Sequence, residues 1–299
     1  MNALKSPDRK RSGQILPAST KNPCILVDAH VHIYDCFAMD TLLDAAWNNF
    51  YRAASKVGQG NRFIGVLLLT ESGQHQRFQQ ILSGIEQSHA TTWSFSKTAE
   101  PCSLQAHDIK GRTLYLIAGR QVVTAEKLEV LALICDRTFD DGFSTADTIQ
   151  AIQTAGGIAA LPWGVGKWIG QRGKLVAQLM QQQNLQPIFL GDNSGRPKFW
   201  ARPHYFEQSE QRGNPILLGT DPLPLAKEAD RPGKFGLMME GELDCSKPGA
   251  ALKTYLLDQA ADWQPYGELE TPWGFMQNQT VLRLTPYKPM EAPAETDTV

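Results

Sequence analysis

The chain holds little of what would settle its class at once. Among 299 residues there are only five cysteines, at positions 24, 36, 102, 135 and 245, and none has C-x-x-C spacing. An odd, scattered set of thiols excludes a disulfide scaffold and fits a reducing compartment, so a cytoplasmic location is expected. No run of about 18 apolar residues occurs, which excludes a helical membrane span. The net charge is only −2, so no global excess of one sign draws the molecule to nucleic acid or an anionic membrane, and no nucleic-acid partner is expected. Residues 1–22 carry Lys5, Arg9, Lys10, Arg11 and Lys21 without an apolar core, the composition of a disordered basic tail and not of a secretory signal. No repeat of fixed period is present.

What is present points to one large α/β unit. Hydrophobic residues make up 42% of the chain, enough for a sizeable core. Short apolar runs (24–33, 63–70, 128–135, 158–161, 188–190, 216–218) read as strands buried on both faces. Between several of them lie segments with helical spacing: 40–56, a stretch through Phe78, Ile81, Leu82 and Ile85, one opened by the N-cap Ser144 and stopped at Gly156-Gly157, and one carrying Leu175, Val176, Leu179 and Met180. Alternating strands and helices imply a parallel sheet, open or closed. The expected organisation is a basic tail over 1–22, the α/β unit over 23–235, a small α+β extension over 236–285 with a strand near Thr280–Leu284, and a disordered Pro/Glu/Thr-rich end over 286–299.

The chemistry concentrates at the ends of the strands, where α/β folds place their sites. Asp28-Ala29-His30-Val31-His32 puts two imidazoles two residues apart, hence on one face of a strand. Two histidines so placed either converge on a divalent metal or are simply hydrogen-bonded. Later strand ends carry Glu71-Ser72, Gly119-Arg120-Gln121, Gly191-Asp192-Asn193 and Thr220-Asp221-Pro222. A glycine-rich cationic segment, Trp163 to Lys174, lies between a strand end and a helix start. There Lys167 and Arg172, with Arg196 further on, are candidates for holding an anion; the alternative is a solvated surface loop. It lacks the G-x-x-x-x-G-K-[ST] spacing of an ATP-binding loop. Trp163, Trp168 and Trp200 near the same rim read best as roofing.

Over about residues 24–225 the order of these motifs resembles the PHP (polymerase and histidinol phosphatase) superfamily, with a looser likeness to amidohydrolase-type enzymes. The family's H-x-H is matched by His30 and His32, its T-D-H by Thr70-Glu71-Ser72, its G-x-E by Gly119-Arg120-Gln121, its A-H-P by Ala160-Leu161-Pro162, and its late S-D-A-H by Thr220-Asp221-Pro222-Leu223. The resemblance implies a distorted (β/α) barrel of PHP type and a metal-dependent hydrolase. Several family ligands are replaced here, by Ser72, Gln121, Leu161 and Pro222 or Leu223, none of which can stand in for an imidazole or a bridging carboxylate.

The reduced set His30, His32 and Asp221 implies a mononuclear site for Zn²⁺, Mn²⁺ or Fe²⁺, or no metal at all if the site has decayed. Glu71 and Asp192 are the expected proton-transfer carboxylates, and His75 is a stand-in ligand candidate. The leading expectation is a phosphoesterase acting on a small anionic substrate. The rivals are a catalytically decayed protein that binds an anionic ligand or a partner protein, and an enzyme of amidohydrolase type.

Overall fold

A computed structural model describes residues 22–73, 75–84 and 92–284. The expected tails fall outside these residues, apart from position 22, as does Ile85. The strands are β1 (Cys24–Val31), β2 (Phe63–Leu69), β3 (Glu71–Ser72), β4 (Trp93–Lys97), β5 (Ser103–Asp108), β6 (Thr113–Ile117), β7 (Gly119–Val123), β8 (Glu129–Leu133), β9 (Ile158–Pro162), β10 (Phe189–Asn193), β11 (Ile216–Gly219), β12 (Gly236–Glu240) and β13 (Gln264–Tyr266). The helices are α1 (Met39–Lys56), α2 (Arg77–Leu82), α3 (Thr145–Thr154), α4 (Gln171–Gln181), α5 (His204–Glu210), α6 (Pro248–Leu257) and α7 (Pro272–Leu284). None of these is long and apolar enough to cross a membrane.

The strands form two sheets, in the orders β13-β12-β1-β2-β6-β5-β4 and β11-β10-β9-β8-β7-β3. In the first, β1, β2 and β6 run parallel, while β12, β13, β5 and β4 run antiparallel to their neighbours. In the second, β9, β10 and β11 are parallel, β8 is antiparallel to both β7 and β9, and β3 is parallel to β7. The expected single closed barrel is therefore not what the pairing forms among the described residues. The hairpin-like connections β4–β5–β6 and β7–β8 have no crossover helix, and they interrupt the βα repeat that a parallel ring requires.

The sheets meet at seams. The chain passes from one to the other at Thr70, whose N–H donates to Val31 O at 2.9 Å, and at Ala118, which bonds both Cys102 and Cys135 through its backbone. At the opposite seam the end of β11 abuts β1, where Asp221 N–H donates to His30 O at 2.8 Å.

Apolar periodicity decides which faces are covered. Leu42, Leu43, Ala46, Phe50, Ala53 and Ala54 of α1 are buried against the first sheet with Leu26, Leu67 and Leu116. Each buried leucine or phenylalanine among them contributes about 1.5–3 kcal/mol. The helix α3 starts at Ser144, whose Oγ accepts from Asp147 N at 3.1 Å, as its N-cap position requires.

Two expectations for the C-terminal region are corrected. Residues 236–240 do not open a separate unit, because β12 pairs with the whole first half of β1, from Cys24↔Glu240 to Val27↔Leu237. The strand expected near Thr280–Leu284 is the end of α7. There Pro272 opens the helix and Thr271 Oγ1 accepts from Gly274 N at 3.0 Å, a start signal that overrides the β-branched Thr280-Val281 pair.

Candidate metal centre

The centre begins with an irregularity in β1. Asp28 pairs with Leu67 of β2, but Val31 pairs with Leu69, so β1 carries one extra residue between these points. Such a bulge re-aims the side chains beyond it. Before it, Ile25, Val27 and Ala29 pack with Val66, Leu68 and Leu131, while Cys24 and Leu26 pack beneath α1. Past it Val31 joins the α1 side, leaving His30 and His32 to turn toward the other. Both histidines are 4% exposed.

Asp28 holds this arrangement in place. Its carboxylate accepts from Thr220 N (2.8 Å), Thr220 Oγ1 (2.6 Å), Gly233 N (2.8 Å) and His30 N (3.3 Å). Burial pushes its pKa up to about 7, against the pull of these donors. It thus ties β1 to the segment following β11.

That segment delivers Asp221. Its backbone has φ +45°, although it is not glycine and precedes a proline. A side-chain-bearing residue held in the left-handed region is strained, and strain of this kind persists where the surroundings over-determine the conformation. Here the Asp221 N–H is fixed to His30 O and its Oδ2 accepts from Asn193 Nδ2 at 2.9 Å. The second Nδ2 hydrogen of Asn193 goes to Trp163 O at 3.1 Å, which sets the orientation of the amide.

Asp221 Oδ1 is left facing both imidazoles. It lies 3.4 Å from His30 Nε2 and 3.4 Å from His32 Nε2, and the two nitrogens are 3.1 Å apart. Donor atoms about 2.0–2.2 Å from one ion at tetrahedral angles stand roughly 3.3–3.6 Å from each other, so this triangle has close to the edges of a coordination sphere. Among the described residues, this is the group of three or more His, Cys, Asp or Glu side chains with donors near enough to share an ion.

The electrostatics suit ligands. Burial, reinforced by the neighbouring His32, lowers the pKa of His30 despite the opposing pull of Asp221, the direction that favours a lone pair for a metal. Burial works against the Asp221 charge, yet His30, His32 and Lys167 together hold its carboxyl well below the usual range.

Strand alternation decides which other expected residues face the centre. On β7, Gln121 lies opposite Ser72 on one side and Leu131 on the other, and Val123 lies opposite Glu129. Gln121 and Glu129 therefore share a face, the one turned toward His30, whose pKa both push upward. Glu129 forms an ion pair with Lys167, which in turn faces Asp221. Lys167 comes back over the strand end through a tight turn, its N–H donating to Gly164 O at 3.0 Å, with Gly166 at φ +73°. A Cβ on Gly164 would stand 2.7 Å from Lys167 Cδ, so a side chain there would displace the lysine stem.

Glu71 and Arg120 are paired on the opposite face. Glu71 accepts from Phe78 N at 2.6 Å at the start of α2 and lies 3.6 Å from Arg120 Nη1. Burial raises its pKa. Asp192 alternates with Asn193, and it is bound by Arg196 through Nε–Oδ1 (2.9 Å) and Nη2–Oδ2 (2.8 Å), a buried bidentate pair. Two residues expected in the chemistry, one as a base and one on the substrate, thus neutralise each other away from the centre. Burial raises the Asp192 pKa, with Arg196 opposing.

Arg172 donates to Gly166 O at 2.8 Å and so braces the turn that carries Lys167. His75 is separated from the ligands by Tyr34, which stacks on His32 at 5.4 Å and meets His75 edge-on at 6.1 Å. Trp163 and Trp200 pack edge to face at 5.8 Å.

Glu129 and Asn193 are the site residues that sequence reading passed over. Counting alternate positions from Gln121 across the β7–β8 hairpin, and from Gly191 along β10, is the signal that finds them.

No known protein-family pattern matches the chain, and no curated protein does. Among solved structures, one similar chain is PsfC from Pseudomonas syringae PB-5123, with TM-score 0.49 and 14% identity over 88% of this chain and 100% of that one. A second is the lesion-specific endonuclease PfuEndoQ from Pyrococcus furiosus, with TM-score 0.49 and 9% identity over 82% of this chain and 59% of that one. A third is Endonuclease Q in complex with a 27-mer duplex substrate bearing an abasic lesion at the active site, with TM-score 0.41 and 9% identity over 77% and 57%. This chain spans less than two thirds of either endonuclease. At these scores and identities the likeness assigns no activity to it. The expectation that nucleic acid plays no part is nevertheless withdrawn, since two of these three are endonucleases. A net charge near zero describes the whole surface and leaves a local anion site free to exist.

Proposed function

We propose that the protein is a metal-dependent hydrolase of PHP type, a phosphoesterase acting on a small anionic substrate through one divalent ion held by His30, His32 and Asp221. The observation that carries this reading is the 3.1–3.4 Å triangle of donor atoms, assembled from strands 190 residues apart in sequence and fixed by a strained Asp221 backbone. A divalent ion bound there supplies a water acidified toward neutrality and a Lewis acid for the scissile group's oxygen. The side chains supply the rest. Asn193 keeps one Asp221 oxygen aimed at the imidazoles. Glu129 replaces Glu71 and Asp192 as the carboxylate on the reacting face, placed to accept a proton from attacking water. Lys167 meets the substrate's negative charge.

The second reading is a binding protein of the same ancestry without turnover. It is favoured by Gln121, an uncharged amide at the position where the family's bridging carboxylate is expected. One experiment separates the two: the protein loaded with Zn²⁺, Mn²⁺ or Fe²⁺ is assayed on phosphate esters, amides and lactones beside a His30→Ala, His32→Ala variant. The expected result is turnover of phosphate esters that falls at least about 100-fold in the variant, the scale of a lost metal centre. Equal activity in the variant, or metal uptake with no turnover of any ester, defeats the hydrolase reading.

A further inference from the structure

A second cavity lies at the seam where the two sheets part. Strands β12 and β11 follow one another along a single edge of β1, the first pairing with Cys24–Val27 and the second meeting it at His30. They belong to different sheets, so they diverge, and the segment 259–270 bridges the gap as a strap. The strap is tied by Gln259 Nε2 donating to Arg212 O at 3.2 Å, by the β13–β12 pairing, and by Glu270 N–H donating to Ser194 O at 2.8 Å. Beneath it lies a cavity of about 420 Å³, a size that suits a small molecule. Asp192 lines it while the next residue, Asn193, holds Asp221, so it occupies the face of β10 turned away from the metal centre.

The walls are apolar. Ile216, Leu218 and Leu237 line the sheet side, and Ala261, Trp263 and Leu269 line the strap side. The Trp263 indole N–H donates to Tyr255 O at 3.3 Å, so the ring has only apolar surface left to offer. Five charged side chains also line the cavity, and each is already engaged. Asp192 and Arg196, both 5% exposed, pair with each other. Arg202 pairs with Glu210 at the rim, and the exposed Asp262 accepts from Gln264 Nε2. A ligand of either charge would have to compete with these pairs.

One polar group is left incompletely matched. A guanidinium carries five N–H groups. Arg196 uses three, on Asp192 through Nε and Nη2 and on Trp200 O through Nη1 at 2.9 Å. The other two meet no acceptor among the described residues, and a buried donor left unmet costs about 1–3 kcal/mol.

We propose that this cavity is a binding site for an uncharged, mainly apolar molecule bearing one hydrogen-bond acceptor, which Arg196 holds. Such an acceptor satisfies the guanidinium and leaves both ion pairs in place. The site is separate from the metal centre and does not depend on an ion there.

Four probes of similar size test this by ligand-observed NMR titration of the full chain: acetophenone, ethylbenzene, benzoate and benzylamine. Acetophenone, an uncharged carbonyl compound, is expected to bind most tightly. Ethylbenzene lacks the acceptor and is expected to bind at least about tenfold more weakly, the scale of one hydrogen bond to a charged donor. Ala261→Trp fills the cavity from the strap without touching either ion pair, and it is expected to abolish acetophenone binding with the unfolding midpoint kept. Chelator is expected to leave that binding unchanged. Should the variant fail to fold, the order of the four probes decides alone. Ethylbenzene binding as tightly as acetophenone, tighter binding of either charged probe, or no saturable binding of any probe overturns the proposal. So does full acetophenone binding in folded Ala261→Trp, or its loss on chelation, which would place the probe at the metal centre.

Discussion

At Gly219 the end of β11 runs so close to β1 that a Cβ would overlap the backbone nitrogen and Cβ of His30. Glycine here is a packing requirement of the site, since the same contact brings Asp221 within reach of His30 O. Gly219→Ala is expected to cost about 1–3 kcal/mol, as overpacked sites do, and to lower metal uptake by pushing β11 off the histidines. Denaturant unfolding and metal analysis of the variant check both halves; an alanine variant with wild-type stability and full uptake would show that the approach is looser than described. The two histidines were legible in the sequence because their spacing puts them on one face of a strand, and Asp221 because of its place in the order of strand-end motifs. Glu71 and Asp192 were misread for the same reason. Each lies one residue from the position that faces the centre, Ser72 and Asn193, and in a strand one residue is the difference between the two faces. Lys167 was legible through its glycines, whereas Glu129 was not, because its partner comes from a loop 38 positions away.

Among the elements, the β5–β6 hairpin shows how the first sheet is bound to its covering helix. Arg112 donates from Nε to Asp108 Oδ2 at 2.7 Å and from Nη2 to Asp44 on α1 at 2.5 Å, and its guanidinium lies 5.5 Å from the Trp47 ring and 4.9 Å from Trp93. Arg112→Ala removes an ion-pair network and two cation–π contacts together, and it is expected to cost about 2–4 kcal/mol. Burial disfavours the Asp108 carboxylate, but the Arg112 backbone and guanidinium and the Lys110 N–H hold its pKa below the ordinary value. A carboxyl lowered on folding adds stability at pH above its unfolded value, about 3.9, and loses that contribution as pH falls through its folded value. Asp108→Asn is therefore expected to be destabilised at pH 6, with the gap from wild type narrowing below pH 4. Parallel stability curves between pH 6 and pH 3 would remove this carboxylate from the acid response. The hairpin itself was half legible: β6 is an apolar run, but β5, Ser103-Leu-Gln-Ala-His-Asp108, mixes polar and apolar residues. It is a strand because its Leu104 and Ala106 face the core against Leu116 and Leu114.

For the whole molecule, the metal reading has a thermodynamic consequence. The three ligands join the two ends of the β1–β11 seam, and an unfolded chain cannot offer them together. An ion that binds the folded form alone stabilises it by about 2.7 kcal/mol at a free concentration 100 times its dissociation constant. For a chain of this size that corresponds to a rise of roughly 4 °C in the unfolding midpoint. Scanning calorimetry with added Zn²⁺, then with chelator, checks this; a midpoint indifferent to both would mean that the triangle holds no ion. The broad architecture was legible as mixed strands and helices. Its division into two sheets was not, because the strand direction across β7, β8 and β9 is set by short connections whose hairpin geometry has no strong turn signature in Thr124-Ala125-Glu126-Lys127-Leu128.

The central claim is that two imidazoles and one carboxylate share an ion. X-ray absorption at the zinc edge, on protein loaded with Zn²⁺ and freed of excess metal, addresses it most directly. One equivalent per chain, bound by two imidazole nitrogens and carboxylate or water oxygens at about 2.0–2.2 Å and lost in Asp221→Ala, is the result expected here. Less than about 0.2 equivalents, or a spectrum with sulfur ligands that survives Asp221→Ala, would contradict it.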